Sequence, residues 1–266
     1  MDVQNSMEFE VYKEAVDNYK KYDVYKDWAV CGSEKKGRPF RPSMCGYYLK
    51  SDKFPDCTIV GDILTSNNVW ASANKRNNKI RSALSLFEKI YHVDGNYIPI
   101  PEICNERTGN LSGKNCDTFT HHLNVCKQAI ERSLKSYKVW EIWAEEIWLP
   151  YCDSLQCDKP WDKFVEEHYL WDFVDENKQP KSFVVGRNPS NQVGVRADDK
   201  DENIFATISN SIELIIMRDY RIKNGVKTVL DVSERESYNT YRREFLKQKE
   251  CAEEAREWEK YFRLDQ

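Results

Sequence analysis

The apolar residues Ile204, Phe205, Ile208, Ile212, Ile215 and Ile216 recur at three- and four-residue steps, and the run closes near Gly225. Such steps line one face of an α-helix. They predict a helix over 204–221, the most apolar of the chain, stopped by glycine. Ile80, Leu84 and Phe87 predict a second over 74–87, with Lys75, Arg76, Lys79 and Arg81 on its other faces. Leu123, Cys126, Ile130 and Leu134 predict a third, capped at Asp117 or Thr118. Phe9, Tyr12, Val16 and Tyr19, widened by Tyr22, Tyr25 and Trp28, predict a helix over 8–28. Trp140, Trp143 and Ile147 share helical spacing up to Pro150. A further helix starts near Trp161, with Phe164, Val165, His168 and Trp171 on its inner side. Large aromatic side chains remove much area from water, so 137–174 is the expected core. The last helix is expected from Ser233, with Glu236 completing a capping box. At about 30 residues it would be about 45 Å long. Its Tyr238, Tyr241, Phe245, Ala252, Ala255 and Phe262 form a broken heptad face, interrupted by Gln248 and Glu259.

Strand signals are few. Residues 47–49 and 58–60 read as short strands, and Gly61-Asp62 as the lead into a helix carrying Ile63 and Leu64. In Tyr97-Ile98-Pro99-Ile100-Pro101 the prolines cannot donate to a ladder, so the stretch is extended chain at a sheet edge. A β-hairpin is expected near 183–195. The fold class is therefore α+β, predominantly helical, with a few short strands and a long C-terminal helix. Residues 1–180 form the expected main helical domain around a central loop, 95–117. Residues 181–266 add the hairpin and two helices.

Composition narrows the function classes. With 40% hydrophobic and 13% aromatic residues the chain can build a core, which argues against disorder. Forty basic against 44 acidic residues give a net charge of −4, without the excess that neutralising phosphates demands, so nucleic acid is the less favoured partner. No apolar run approaches a membrane span, and Met1 to Glu10 does not resemble a signal peptide. Nine scattered cysteines then read as free thiols of a cytoplasmic protein.

Three constellations carry candidate chemistry. Asn105, Arg107 and Lys114, with the glycine amides at 109 and 113, are a candidate anion cradle. Asp117 and His121 stand at the opening of the next helix. Cys104, Cys116, His121, His122 and Cys126 lie close enough to suggest zinc, and Cys152 and Cys157 form a looser pair. No Cys-x-x-Cys knuckle is present, so neither a metal nor any other cofactor is expected. Asp172, Asp175, Glu176, Glu166, Glu167 and His168 are the carboxylate-rich stretch a two-metal nuclease would need, at a density also normal for a solvated helix face. No nucleophile elbow, metalloprotease helix or dinucleotide fingerprint occurs.

The order Gly95-Asn96-Tyr97-Ile98-Pro99-Ile100-Pro101, then Asn105, Arg107 and Gly109, then Asp117 and a helix, resembles a block of an uncharacterised bacterial protein family. In that family GGYIIFP precedes NxxRG. Leu170-Trp171-Asp172-Phe173-Val174-Asp175-Glu176-Asn177 resembles its LQDLVDEN segment. The likeness covers about residues 60–180. It departs at Asn96, where the family has glycine, and at Thr108, which separates Arg107 from Gly109. It implies no activity.

Together these features lead to the expectation of a non-enzymatic protein that binds another protein or oligomerises. Tyr238, Tyr241, Phe245 and Trp258 are its candidate contacts. A phage or mobile-element antagonist of a bacterial defence complex is the expected setting. The alternative is an enzyme acting on nucleic acid or a nucleotide through the 95–126 region.

Overall fold

The computed structural model describes residues 13–32, 47–63, 76–90, 92–101, 118–133, 138–183, 185–186, 200–248 and 250–262. Along the chain these form helix α1 (13–18), strands β1 (Ala29–Gly32), β2 (Tyr47–Lys50) and β3 (Thr58–Ile63), helix α2 (Asn78–Ile90) and strand β4 (Tyr97–Pro101). Helices α3 (Thr118–Ile130), α4 (138–154), α5 (Pro160–Glu167), α6 (Asp201–Asn224), α7 (Val232–Lys247) and α8 (Ala252–Phe262) complete the order. The protein is thus α+β and mostly helical, with a small antiparallel sheet and a long helix, α6, in its C-terminal third. No helix among the described residues is long and apolar enough to cross a membrane. The expected hairpin, 183–195, lies almost wholly outside them.

Two compact units emerge, each drawn from separate stretches of chain: 1–63, 97–111 and 122–168 in the first, and 64–96, 112–121 and 169–266 in the second. The first carries the sheet, in the order β1-β2-β3-β4, every pair antiparallel. β4 is the edge strand, as its prolines require. Pro99 faces Gly61 and Pro101 faces Ile59 across the ladder, and the two prolines share one parity of the strand, leaving the Ile98 and Ile100 amides as donors. β3 runs to Ile63, so sheet takes the place expected for the start of a helix, while Leu64 lies outside the described residues. The helix expected over 8–28 is also cut short. It gives way to 3₁₀ turns at Tyr19–Lys21 and Asp23–Tyr25 and then to β1. Tyr19, Tyr22, Tyr25 and Trp28 are all buried, but by turns that point each ring inward.

The tryptophans form the core of this unit. Trp140, Trp143 and Trp148 are fully buried. Within α4, residues Trp143–Trp148 are π-helical, the Leu149 amide donating to the Ala144 carbonyl five residues back. The wider turn places Trp143 and Trp148 on one face, with ring centroids 6.0 Å apart and planes at 20°. On an ordinary α-helix, residues five apart diverge by about 140°. Phe164 of α5 meets both rings edge-on and stacks on His168 at 4.0 Å. Tyr22 stacks on His168 as well, at 4.9 Å. The Nδ1 of His168 lies 3.0 Å from the Phe164 carbonyl, which can only accept, so that nitrogen carries the proton. Trp143 Nε1 donates to the Tyr25 hydroxyl at 3.0 Å. Burial, opposed in part by that bond, pushes the Tyr25 phenol well above its ordinary range, so it stays protonated.

In the second unit α6 is the axis. Ile204, Phe205, Ile208, Ile212, Ile215 and Ile216 are all buried, as their spacing predicts. The Asn77 side chain accepts from the Ile80 amide and so caps α2. Asp201, in the first turn of α6, takes Arg76 at 2.5 Å and Asn77 at 2.7 Å. The stretch expected as one helix of about 30 residues from Ser233 is two. Gln248 turns extended, the Cys251 amide bonds the Gln248 carbonyl, and α8 restarts. The break lets α8 fold back, so that Trp258 Nε1 reaches Ser209 Oγ of α6 at 2.9 Å.

Replacing Tyr25 by phenylalanine keeps the ring and removes the acceptor of a buried indole N–H. Urea unfolding of Tyr25→Phe should show a loss of about 1–3 kcal/mol, the cost of an orphaned buried donor.

Candidate functional site

Helix α6 ends in a Schellman turn. Gly225 adopts φ 66°, and the Val226 amide donates to the Arg221 carbonyl at 3.0 Å. The Arg221 side chain, itself buried, then organises the 226–228 segment. Its Nη1 donates to the carbonyls of Val226 at 3.5 Å and Thr228 at 2.5 Å. Its Nε and Nη2 fork onto the Asp172 carboxylate at 2.7 and 3.3 Å. The Lys227 carbonyl accepts from Trp171 Nε1 at 2.5 Å. All three carbonyls of 226–228 are thereby held by side-chain donors. Leu230 is buried and pins the far side. Asp231 then caps α7 in a reciprocal box: its carboxylate accepts from the Glu234 amide, and Glu234 accepts from the Asp231 amide.

This fixed backbone displays two β-branched apolar side chains. Val229 is 65% and Val232 77% exposed. Isolated exposed valines are ordinary on a protein surface. Here the pair stands on a segment whose conformation is set from beneath by a guanidinium. Next to it, between the end of α6 and α7, opens a cleft of about 520 Å³ lined by Tyr220, Asn224, Ser233, Glu236, Ser237, Thr240, Tyr241 and Glu244. Its lining offers hydroxyls, one amide and two carboxylates, with no basic side chain among these residues. A cationic group on an approaching molecule would be favoured there over an anionic one.

The Tyr241 wall of the cleft is fixed by Asp219, a fully buried carboxylate. Asp219 accepts from the Tyr241 hydroxyl, from Lys223 at 2.8 Å and from the Gly95 amide at 3.3 Å. Arg218, equally buried, donates to the carbonyls of Asp94 and Gly95 at 3.1 and 3.0 Å. The 94–96 turn therefore lies directly on α6. A Cβ at Gly95 would fall 2.0 Å from the Ile215 carbonyl oxygen, so only glycine fits. Burial, followed by the Asp219 charge, drives the Tyr241 phenol far above its ordinary range and keeps it a donor.

Of the residues singled out in the sequence, Tyr241 lines this cleft. Asn105, Arg107, Lys114 and Asp117 lie outside the described residues, as do Cys104 and Cys116. The His121 and His122 side chains are not described either. Tyr238, Phe245 and Trp258 are buried inside the second unit, and Tyr241 is half-buried against Asp219. Tyr238 donates to Glu213 at 3.1 Å, and Arg242 bridges Glu213 and Glu259 at 2.6 and 3.2 Å beneath Trp258. Their aromatic area thus packs α7 and α8 onto α6. Three carboxylates of the supposed nuclease stretch have structural partners: Asp172 with Arg221, Glu167 with Lys163 at 2.7 Å, and Asp175 with the amides of Asn177 and Gln179. Among the described residues no group of three or more His, Cys, Asp or Glu is placed to hold a metal ion. Val229 and Val232 were not singled out. The signal was present: with the capping box at Asp231 and Glu234 instead of Ser233 and Glu236, 226–230 becomes a loop that carries valine and leucine.

This geometry sets two expected outcomes. Gly95→Ala should lower stability by about 3 kcal/mol or more, because a backbone carbonyl has to move to admit the methyl; the urea midpoint reads it. The Asp231 carboxylate is held below its ordinary range by the Glu234 amide and the Ser233 hydroxyl. A lowered carboxylate pKa stabilises above the unfolded value and is lost as pH falls through the folded one. Asp231→Ala should therefore melt earlier than wild type at neutral pH and Asp231→Asn only slightly so, with the wild-type advantage over Asp231→Ala closing in acid.

Comparison of the chain with family models, with curated proteins and with solved structures finds no match.

Proposed function

We propose that this chain works by binding another protein, and that the 226–232 segment with the adjoining cleft is the binding surface. The observation that supports the reading is the display of Val229 and Val232 on a backbone held by Arg221, Trp171 and the Asp231 cap. Ordering a loop at the moment of association costs free energy, and a segment already ordered avoids that cost. The partner chemistry that fits is an apolar side chain set against the two valines beside a lysine or arginine that reaches Glu236 and Glu244. Oligomerisation through Tyr238, Phe245 and Trp258 draws no support from their positions, since those rings already pack the second unit. The setting expected from the sequence, a mobile-element protein acting against a bacterial defence complex, belongs to the same proposal. It makes a subunit of such a complex the partner to test first.

Aspartate at both valines leaves buried groups untouched. Val229→Asp/Val232→Asp should melt as wild type does and bind a partner, identified by affinity capture and quantified by calorimetry, at least about tenfold more weakly. Arg107→Ala/Lys114→Ala should bind as wild type does. The reverse pattern, with the valine variant intact and the basic variant inactive, would move the function to the 95–126 region and to the enzyme reading.

A further inference from the structure

Helix α4 ends without a glycine. Gln156 takes the left-handed conformation at φ 54°, its amide donating to the Asp153 carbonyl at 3.0 Å. The Cys157 amide donates to the Cys152 carbonyl, also at 3.0 Å. These are the two crossed bonds of a Schellman motif, in which the side chain two residues past the cap folds back onto the last helical turn. The contact there is commonly apolar. In this chain both members are cysteines. Both are free thiols, Cys152 buried and Cys157 half-exposed, and the crossed backbone bonds set the two side chains beside each other.

We infer that Cys152 and Cys157 are a dithiol site that closes to an intramolecular disulfide when the protein meets a small-molecule disulfide such as oxidised glutathione. The Cys157 thiolate, the accessible one, attacks a sulfur of the oxidant, forms a mixed disulfide and releases one thiolate. Cys152 then gives up its proton and attacks the Cys157 sulfur, forming the protein disulfide and expelling the second thiolate. Two protein thiols are oxidised to one disulfide, and one small disulfide is reduced to two thiols.

The order of attack is set by burial. Desolvation, followed by the neighbouring Cys157, pushes the Cys152 thiol up to about 12, so its thiolate is scarce at neutral pH and the closing step is the slow one. Proximity offsets this scarcity, because the Schellman bonds hold the two side chains together before any oxidant arrives. The Lys163 charge favours a Cys152 thiolate, but burial outweighs it. The reduced form therefore lacks the stabilisation that makes some dithiol pairs strong oxidants. Leu155, 49% exposed, sits at the apex of the turn that the disulfide would lock.

The test uses the full chain, reduced and then incubated at graded ratios of oxidised to reduced glutathione. The samples are acid-quenched and alkylated under denaturing conditions, and mass spectrometry reads the peptide that spans both cysteines. That peptide should lose both alkylation tags together and become lighter by two hydrogens, faster at higher pH. Cys157→Ser should abolish the tagless species. Retention of both tags in oxidised glutathione alone would overturn the inference. So would arrest at a glutathione adduct on Cys157, or a Cys157 linkage between two chains.

Discussion

The second unit depends on a buried carboxylate. Asp219 has no exposed surface, and an ionised carboxylate without partners would cost several kcal/mol in such a place. Its partners come from three separate parts of the unit: the Gly95 amide, the Tyr241 hydroxyl of α7 and the Lys223 ammonium one turn along α6. Each needs the helix at one rotation and one height. Apolar packing alone tolerates a helix that slips or rolls, because dispersion is non-directional. The carboxylate does not. Arg218 and Arg221 extend the same constraint in opposite directions, one to the 94–96 turn and one to the 226–228 carbonyls and Asp172.

These dependencies explain what could be seen in the sequence and what could not. Periodicity located α2, α3 and α6, whose apolar stripes are long and regular, and the alternating prolines located β4 at an edge. It failed over 19–28. There the tyrosines and tryptophan fit a helical stripe, and 3₁₀ turns bury the same rings equally well. Spacing cannot separate the two. The π-helical turn in α4 escaped for a related reason, since it appears only when Trp143 and Trp148 are seen to stack five residues apart.

The candidate surface was the least legible. Tyr238, Phe245 and Trp258 drew attention because aromatics mark interfaces, yet aromatics also fill cores, and composition does not say which. The pairs that decide it, Trp258 with Ser209 and Arg242 with Glu213, join positions far apart in sequence. Gly95 meets Ile215 and Asp219 across a separation of more than a hundred residues, so its close approach leaves no local mark beyond the glycine itself. The two compact units are themselves interleaved along the chain, and no composition shift marks a boundary of that kind.

Helix α6 was expected to be the most apolar helix of the chain, and the isoleucine stripe of its first half is buried. Its second half buries Arg218, Asp219 and Arg221 in place of further isoleucines. Replacing buried ion pairs by well-packed hydrophobes is often neutral or stabilising, so charge in this position is not explained by stability alone. What it adds is direction. Arg221 directs its donors to a carboxylate and to loop carbonyls, and a leucine there would leave those carbonyls to choose other partners. The 226–232 segment would then sample several shapes, and Val229 and Val232 would lose their fixed spacing. A buried arginine whose donors set the path of an exposed loop is the arrangement expected where the shape of that loop is what the protein presents.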